Sequence, residues 1–194
     1  MELENEWILW YHSVQNNNWD KNSYALLNIY STVDDICELK SLLSSLKLYK
    51  NKMLFLMRKR EKFIYPSWED KHNINGGTLC FVGNEDLIHI FLKLFYHICS
   101  ESFYSNKKLG NEHINGISIS DKGDKKVMKI WYSTIPENYI KLWDINSEIY
   151  NLLIKYKPYF VHHKISKLKD TNIIKNKLSN NTKKKHNKYY KKWR

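Results

Sequence analysis

Apolar and polar residues follow two different periods over residues 1–163. Short apolar or alternating runs are typical of β-strands, whereas apolar residues that recur every three or four positions are typical of helices. The predicted strands are 7–12, 22–29, 53–58, 78–82, 114–120, 127–133 and 159–162. The predicted helices are 32–46, 86–100 and 140–156.

Local signals mark the ends of several elements. Thr32, with Asp35 three positions later, is a variant of the capping box that begins a helix. Pro158 ends the third helix, and Gly123 lies in the tight turn between the fifth and sixth strands. The order ββα-ββα-ββα-β, with hairpin-like strand pairs, predicts an α+β fold in which helices cover one face of an antiparallel sheet.

The positive charge of the chain is concentrated at its C-terminal end. The net charge of the 194 residues is +12, and +11 of it lies in 164–194, which holds 12 lysines and arginines against one acid. That segment also lacks apolar periodicity, so we predict a domain over 1–163 and a basic, flexible tail over 164–194. Tyr189, Tyr190 and Trp193 stand among its lysines, a pattern that fits either RNA binding or a solvated tail.

Common enzyme and metal-site motifs are absent from the sequence. It has no GxSxG, P-loop, GxGxxG or HExxH motif, and the adjacent His162 and His163 would point to opposite faces of a strand. Cys37, Cys80 and Cys99 are far apart, which favours reduced thiols over a metal centre. With no long apolar run and an acidic start, we expect a cytoplasmic, non-enzymatic protein without a cofactor, a metal or a membrane anchor.

Two tryptophans stand in predicted loops, outside the periodic apolar pattern. Trp19 ends a polar loop, and Trp68 is followed directly by Glu69. Two indoles can sandwich a flat ring, and a cationic ring gains cation–π attraction as well. A neighbouring carboxylate can accept two N–H bonds from the Watson–Crick edge of guanine. These residues predict a site for a cationic, guanine-like base, and packing of each indole into a core is the alternative.

The order and spacing of these motifs resemble the eukaryotic translation initiation factor 4E family, the mRNA cap-binding proteins. The matching segments, over about residues 5–135, are WILWYH at 7–12, Trp19, Thr32-Val-Asp-Asp, Pro66-Ser-Trp-Glu-Asp, Gly76-Gly77, Ser100-Glu-Ser-Phe, Lys122-Gly-Asp-Lys and Ile130-Trp131. The resemblance implies a curved antiparallel sheet with three helices on its convex face and a cap pocket on its concave side. It also implies a non-enzymatic protein that binds the 7-methylguanosine cap and recruits capped mRNA to translation initiation.

The resemblance assigns roles to individual residues. Trp19 and Trp68 match the tryptophans that stack on 7-methylguanine, and Glu69 matches the carboxylate that bonds guanine N1 and N2. Trp131 matches the tryptophan that touches the N7 methyl group. The two tryptophans of structural role are Trp7 and Trp10. Two phosphate-binding arginines of the family fall at Ser120 and Thr78 here, so the predicted phosphate-binding residues are Lys122, Lys125 and Lys126, with Lys129 as a further lysine.

The helix-bearing face departs from the family pattern. Where the family has a tryptophan that packs against a partner's Tyr-x4-Leu-Φ helix, this sequence has Cys37. Where the family has an acidic residue on the second helix, this sequence has Lys93. We therefore predict an altered helical partner, a 4G-like scaffold or its viral counterpart, on a surface of Val33, Cys37, Leu92, Lys93 and Tyr96. Alanine occurs once, and Asn, Lys, Ile and Tyr are abundant, a bias that indicates an AT-rich genome. With the altered helical face it favours a divergent member from a large DNA virus or a parasitic eukaryote, acting in the cytoplasm, which is the host cytoplasm if the member is viral.

Three alternative functions stay open at this point. A cap-binding repressor or message-sequestering protein would keep the pocket but lack the usual scaffold contact at Cys37. A cap-processing hydrolase would need clustered acids for a metal, whereas Glu69 and Asp70 form an isolated pair. A general basic RNA-binding protein would act through 164–194.

Overall fold

Seven antiparallel strands form one sheet in the computed structural model, which describes residues 1–45, 50–105, 110–134 and 145–163. The strands are β1 (Glu2–Ser13), β2 (Ala25–Thr32), β3 (Lys52–Arg58), β4 (Gly77–Gly83), β5 (Ile114–Lys122), β6 (Lys125–Tyr132) and β7 (Tyr159–His162). The helices are α1 (Val33–Ser45), α2 (Asp86–Cys99) and α3 (Ser147–Leu153). The strand order is β2-β1-β3-β5-β6-β4-β7. The predicted tail lies outside the described residues.

The predicted α+β architecture is confirmed, with differences at the ends of elements. β2 begins at Ala25 rather than at residue 22, because Lys21–Ser23 form a 3-10 turn. α3 begins at Ser147, because the Asn146 side chain caps it by accepting a hydrogen bond from the Glu148 N–H. Residues 140–144, which the apolar pattern assigns to the same helix, lie outside the described residues. Among the described residues, no helix combines the length and the apolar composition that a bilayer span requires.

The third and fourth strands do not form the hairpin-like pair that the sequence predicts. β3 pairs with β1 and β5, whereas β4 pairs with β6 and β7. The connection of residues 59–76 between them is too long for a hairpin turn, so pairing is decided by the neighbours that bury each strand. This connection lies on the face opposite the helices, where Ile64 and Trp68 pack.

The two faces of the sheet carry different clusters. On one face, Leu56, Ile117 and Ile130 pack with the buried sides of the three helices. On the opposite face, here called the concave face, Phe55 and Trp131 belong to a smaller cluster. Trp7 and Trp10 are buried, one on each face, which agrees with the structural role expected for them. The concave face therefore carries aromatic side chains that no helix of residues 1–45, 50–105, 110–134 and 145–163 covers.

A buried ion pair ties β3 to the turn that follows α2. The Arg58 guanidinium donates to both carboxylate oxygens of Glu101, and it also donates to the Ile114 and Asn111 carbonyls at 2.9 Å each. The central carbon of the Arg58 guanidinium, Cζ, lies 4.8 Å from the centre of the Trp7 ring. Both charged side chains are almost fully buried, so each depends on the other for compensation of its charge.

Candidate functional site

Strand alternation places Trp131 on the concave face. The even-numbered neighbours Met128 and Ile130 belong to the core under the helices, so Lys129 and Trp131 point the other way. The Trp131 indole N–H donates to the Ser118 hydroxyl at 3.0 Å, across the β5–β6 pair. Trp131 is only 2% exposed, and this bond and the ring contacts with Phe55 and His163 hold the indole in one orientation.

Trp19 lies in the loop between β1 and β2 and is 51% exposed. Its ring stacks on His12, with centroids 4.4 Å apart and planes within 3°. His12 is fully buried, and its ring nitrogens lie 2.8 and 2.9 Å from the Ser13 and Asn18 carbonyl oxygens. A fixed imidazole therefore orients the indole, and the exposed half of the indole is the part that a planar ligand can reach.

Trp68 has a similar arrangement at the other side of the concave face. Its half-buried ring stacks on His163, with centroids 5.5 Å apart and planes within 15°. The Lys129 ammonium lies 5.8 Å from the centre of the same ring. Trp19 and Trp68 are thus each held against a buried imidazole.

Glu69 is exposed beside Trp68, and its carboxylate accepts a hydrogen bond from the Ser67 hydroxyl at 2.7 Å. The Ser67 oxygen in turn accepts from the Glu69 N–H at 3.2 Å, so the carboxylate is held close to its own backbone. A cavity of about 690 Å³, also lined by Lys21 and Tyr65, opens beside Glu69. The carboxylate is therefore oriented and accessible.

Two buried polar residues hold the segment that carries Trp68 and Glu69. Asp70 accepts from the Tyr65 N–H at 3.3 Å. The Asn73 amide donates to the Tyr65 and Ser67 carbonyls at 2.9 Å each. The Asn73 side-chain oxygen accepts at 2.9 Å from Asn115 of β5, which attaches the segment to the sheet.

An unbroken series of ring contacts connects Trp19 with Trp68 across the concave face. Successive ring centroids in the series are between 4.4 and 6.2 Å apart. The rings, in order, are Trp19, His12, Tyr24, Phe55, Trp131, His163 and Trp68. We call these seven residues the aromatic series. The three tryptophans predicted to bind the base are thus brought into one contiguous structure.

Sequence reasoning did not predict the two stacked histidines. The available signal was strand alternation, since His12 is two positions after Trp10 on β1, and His163 continues the alternation of β7. His162, one position earlier, is exposed and contacts Phe160 instead. Periodicity alone does not indicate that His12 would meet Trp19 of the loop after β1, or that His163 would meet Trp68 of the distant connection 59–76.

His163 is held as a neutral imidazole. Its Nδ1 lies 2.9 Å from the Asn73 carbonyl oxygen, so Nδ1 carries the hydrogen. Among the described residues, its buried Nε2 has no hydrogen-bond partner. Burial is the main cause that lowers the pKa of His163 to about 4, and Lys129 lowers it further, against the Asn73 bond and Glu69.

We expect the free energy of unfolding to fall by about 2 kcal/mol between pH 7 and pH 5 because of His163. An unfolded histidine titrates near pH 6.5, whereas burial lowers the pKa of His163 to about 4 in the native protein. Between these values the unfolded chain binds the extra proton, so acid favours unfolding. Urea unfolding at both pH values measures the change. The variant His163→Phe should show a smaller fall in the free energy of unfolding, whereas the exposed His162→Phe should show the same fall as the unmodified chain. If the fall between pH 7 and pH 5 is equal in the two variants, His163 is not its cause.

The lysines predicted to bind phosphates do not share one face. Lys122 and Lys125 are exposed and paired at the β5–β6 turn. The Lys126 ammonium points to the helix side, 2.6 Å from Asp121 and 3.3 Å from Glu85, and the Asp121 bond raises its pKa. The structure therefore does not bring Lys126 to the site, because one step along a strand reverses the direction of the side chain.

The predicted partner surface is the groove between α1 and α2. A cavity of about 660 Å³ lies there, lined by Cys37, Lys40, Ser41, Ser44 and Tyr96. Cys37 and Lys93 are exposed, and Val33 is half-buried. Leu92 is only 5% exposed and packs in the core, so the structure does not present it to a partner.

Comparisons with known proteins agree with this architecture. The family model described as eukaryotic initiation factor 4E matches residues 2–189, beyond the last described residue. Eukaryotic translation initiation factor 4E-3 of Caenorhabditis elegans is 27% identical over an alignment of 142 residues that covers 66% of this chain. The chain spans about half of that relative, 52% of its length.

Two solved structures share the fold at low sequence identity. C. elegans eIF4E-3, in complex with the 4E-binding protein Mextli and a cap analogue, gives a TM-score of 0.70 at 22% identity, over 87% of this chain and 95% of that chain. Ascaris suum eIF4E-3 in complex with m7G cap gives a TM-score of 0.65 at 21% identity, over 87% of this chain and 94% of that chain. The predicted fold, helices on one face of an antiparallel sheet, is confirmed by these likenesses.

Proposed function

Because this chain belongs to the eukaryotic initiation factor 4E family, we propose that it binds the 7-methylguanosine cap of mRNA on its concave face and recruits capped mRNA to translation initiation. The observation that carries the proposal is the aromatic series, which joins Trp19, Trp131 and Trp68 beside the accessible carboxylate of Glu69. Two solved relatives are complexes with a cap analogue and with m7G cap. The function is binding without catalysis.

The chemistry of the base explains each contact. Methylation at N7 makes guanine cationic, which strengthens its stacking between the indoles of Trp19 and Trp68. The Glu69 carboxylate accepts from N1–H and N2–H, the Trp68 backbone N–H donates to O6, and the N7 methyl group lies against Trp131. The low pKa of His163, about 4, keeps the imidazole behind Trp68 uncharged at neutral pH, so it does not repel the cationic base.

Titration of the full-length chain with 7-methyl-GTP, followed by tryptophan fluorescence, tests the proposal. GTP is the matched control, since it lacks only the methyl group and its charge. We expect saturable quenching by 7-methyl-GTP and binding of GTP weaker by roughly tenfold or more, because the cation–π contribution is about 1–2 kcal/mol. Equal responses to the two nucleotides, or no response to either, would sink the proposal.

Lys122 and Lys125 are the phosphate-binding residues in this proposal, and Lys129 replaces Lys126 as the third. We expect the double variant Lys122→Ala, Lys125→Ala to weaken 7-methyl-GTP binding by roughly fivefold and to leave binding of the nucleoside 7-methylguanosine unchanged, since each exposed charge contributes only about 0.5 kcal/mol. The dependence of 7-methyl-GTP affinity on salt should become shallower.

Lys126→Met is the control for this experiment. The Lys126 ammonium pairs with Asp121 on the helix side of the sheet. Its replacement by Met should therefore lower the stability of the protein and leave the affinity for 7-methyl-GTP unchanged. A loss of affinity in Lys126→Met without one in the double variant would contradict the assignment.

The partner, boundary and origin of the chain are also parts of the proposal. We place a helical partner of the scaffold type on the α1–α2 groove, and one solved relative is a complex with the 4E-binding protein Mextli.

The cap-binding domain covers 1–163 and precedes the basic tail of 164–194. Identities of 27% and 22% to two relatives, with Cys37 and Lys93 in the groove, support a divergent member. Action in the cytoplasm is the expectation that goes with the family. Viral origin stays a prediction from composition.

A further inference from the structure

Lys129 lies on the concave face beside two tryptophans of the aromatic series. It stands two positions before Trp131 on β6, so the two side chains share a face, and its ammonium lies 5.8 Å from the centre of the Trp68 ring. Its neighbours in register are Ser118 of β5 and Cys80 of β4, which are both buried and uncharged. Lys129 therefore brings a positive charge into a half-buried part of the site.

No carboxylate pairs with Lys129 in the part of the chain that the structure describes. Burial is the main cause that lowers the pKa of Lys129, and Lys122 lowers it further, against the Cys80 thiol. Burial lowers the pKa of His163 as well, Lys129 lowers it further, and Glu69 raises it. These directions are those of a partly desolvated cation without an anionic partner, so a negative group that arrives beside Lys129 is stabilised there.

A stretch of strand separates Lys129 from the lysines of the β5–β6 turn. Lys122 and Lys125 are opposite each other at that turn, and Lys125 precedes Lys129 by four positions on β6. Four positions on a strand correspond to about 13 Å, and an even number of steps keeps the side chains on one face. The concave face thus carries one lysine beside Trp68 and two at the end of the hairpin.

We propose that Lys129 makes binding of the cationic base depend on the phosphate nearest the ribose, and that Lys122 and Lys125 act on the more distant phosphates. The inference rests on the proposed function, because it divides the phosphate contacts of that site into two steps. Without a phosphate, the ammonium and the methylated base are like charges beside Trp68, so Lys129 weakens binding of the base. The first phosphate pairs with Lys129 and removes this repulsion.

Three ligands that differ only in phosphate separate the two steps: 7-methylguanosine, 7-methyl-GMP and 7-methyl-GTP. Tryptophan fluorescence measures their affinities for the full-length chain at pH 7 and constant salt. We expect Lys129→Met to bind 7-methylguanosine roughly threefold more tightly than the unmodified chain does, because the repulsion is gone. The gain in affinity from nucleoside to monophosphate should fall by roughly tenfold in this variant, since the charged hydrogen bond is lost. The gain from monophosphate to triphosphate should stay the same.

The double variant Lys122→Ala, Lys125→Ala should show the opposite pattern. It should keep the gain from nucleoside to monophosphate and lose roughly fivefold of the gain from monophosphate to triphosphate. Lys129→Arg keeps the charge, so it should retain the first gain. Lys126→Met is the matched control, because it removes one positive charge from the same strand on the opposite face, and it should leave both gains unchanged.

Four results would each overturn the inference. They are unchanged or weaker binding of 7-methylguanosine by Lys129→Met, an unchanged first gain in that variant, loss of the first gain in Lys129→Arg, and loss of the first gain in Lys126→Met. GTP judges the proposed function separately. If the unmodified chain binds 7-methyl-GTP and GTP equally, the proposed function fails, whereas discrimination between them without an effect of Lys129→Met rejects this inference alone.

Discussion

Trp68→Ala should weaken 7-methyl-GTP binding by roughly a hundredfold, since removal of one stacking indole costs about 2–3 kcal/mol. In the proposed complex the indole is one of the two that cover the base, and its ring is already oriented by His163, with ring centroids 5.5 Å apart. The variant also removes one end of the aromatic series, which leaves Trp19 as the remaining stacking partner. Fluorescence quenching and isothermal calorimetry on the full-length chain both measure the loss.

Two variants show whether stacking is the cause. Trp68→Phe keeps an aromatic face and should retain most of the affinity. Glu69→Gln keeps the shape of the side chain but removes its charge, so it should discriminate less between 7-methyl-GTP and GTP. If Trp68→Ala binds 7-methyl-GTP within twofold of the unmodified chain, the base does not stack on this residue.

Arg58→Met should lower the free energy of unfolding by about 3–5 kcal/mol, which is among the largest effects of one substitution expected here. The variant leaves the Glu101 carboxylate buried without its cation, and it removes the donors to the Ile114 and Asn111 carbonyls. Glu101→Gln should be destabilising for the corresponding reason, because the guanidinium remains 2% exposed. Urea unfolding at pH 7 measures both.

The next residue along the chain supplies the control. Lys59 pairs with Glu6, but both side chains are partly exposed, at 30% and 45%. Solvent screens that pair, so Lys59→Met should cost less than about 1 kcal/mol. A similar cost for Arg58→Met and Lys59→Met would show that the buried pair contributes nothing beyond a surface contact. The double variant Arg58→Met, Glu101→Leu should be more stable than Arg58→Met alone.

Elements were predicted well where their signal is local. The hairpin of β5 and β6 follows from alternation and a glycine turn, and β7 was predicted with its bounds. The pairing of β3 with β5 was not predictable in the same way, because a long connection sets no register and burial against distant strands decides it.

In the candidate site, too, some residues could be predicted from the local sequence and others could not. Trp19, Trp68 and Glu69 were identified because they interrupt the apolar pattern in loops. The buried residues that hold them, His12, Asn73 and His163, carry no such mark, because the apolar pattern does not show which side chains they contact: His12 and Asn73 act on residues of nearby loops, whereas His163 acts on Trp68, far earlier in the chain.

By itself, the sequence determined the fold class, the helices and strands, and the residue types available for a cationic base, since periodicity, caps and turns depend on neighbours in the chain. Only the tertiary structure decided which side chains meet. It placed Lys129 rather than Lys126 beside Trp68, buried Leu92, and positioned an imidazole behind each loop tryptophan. The physical reason is that strand register and burial are set by contacts between distant segments, and one step in register reverses the face on which a side chain lies.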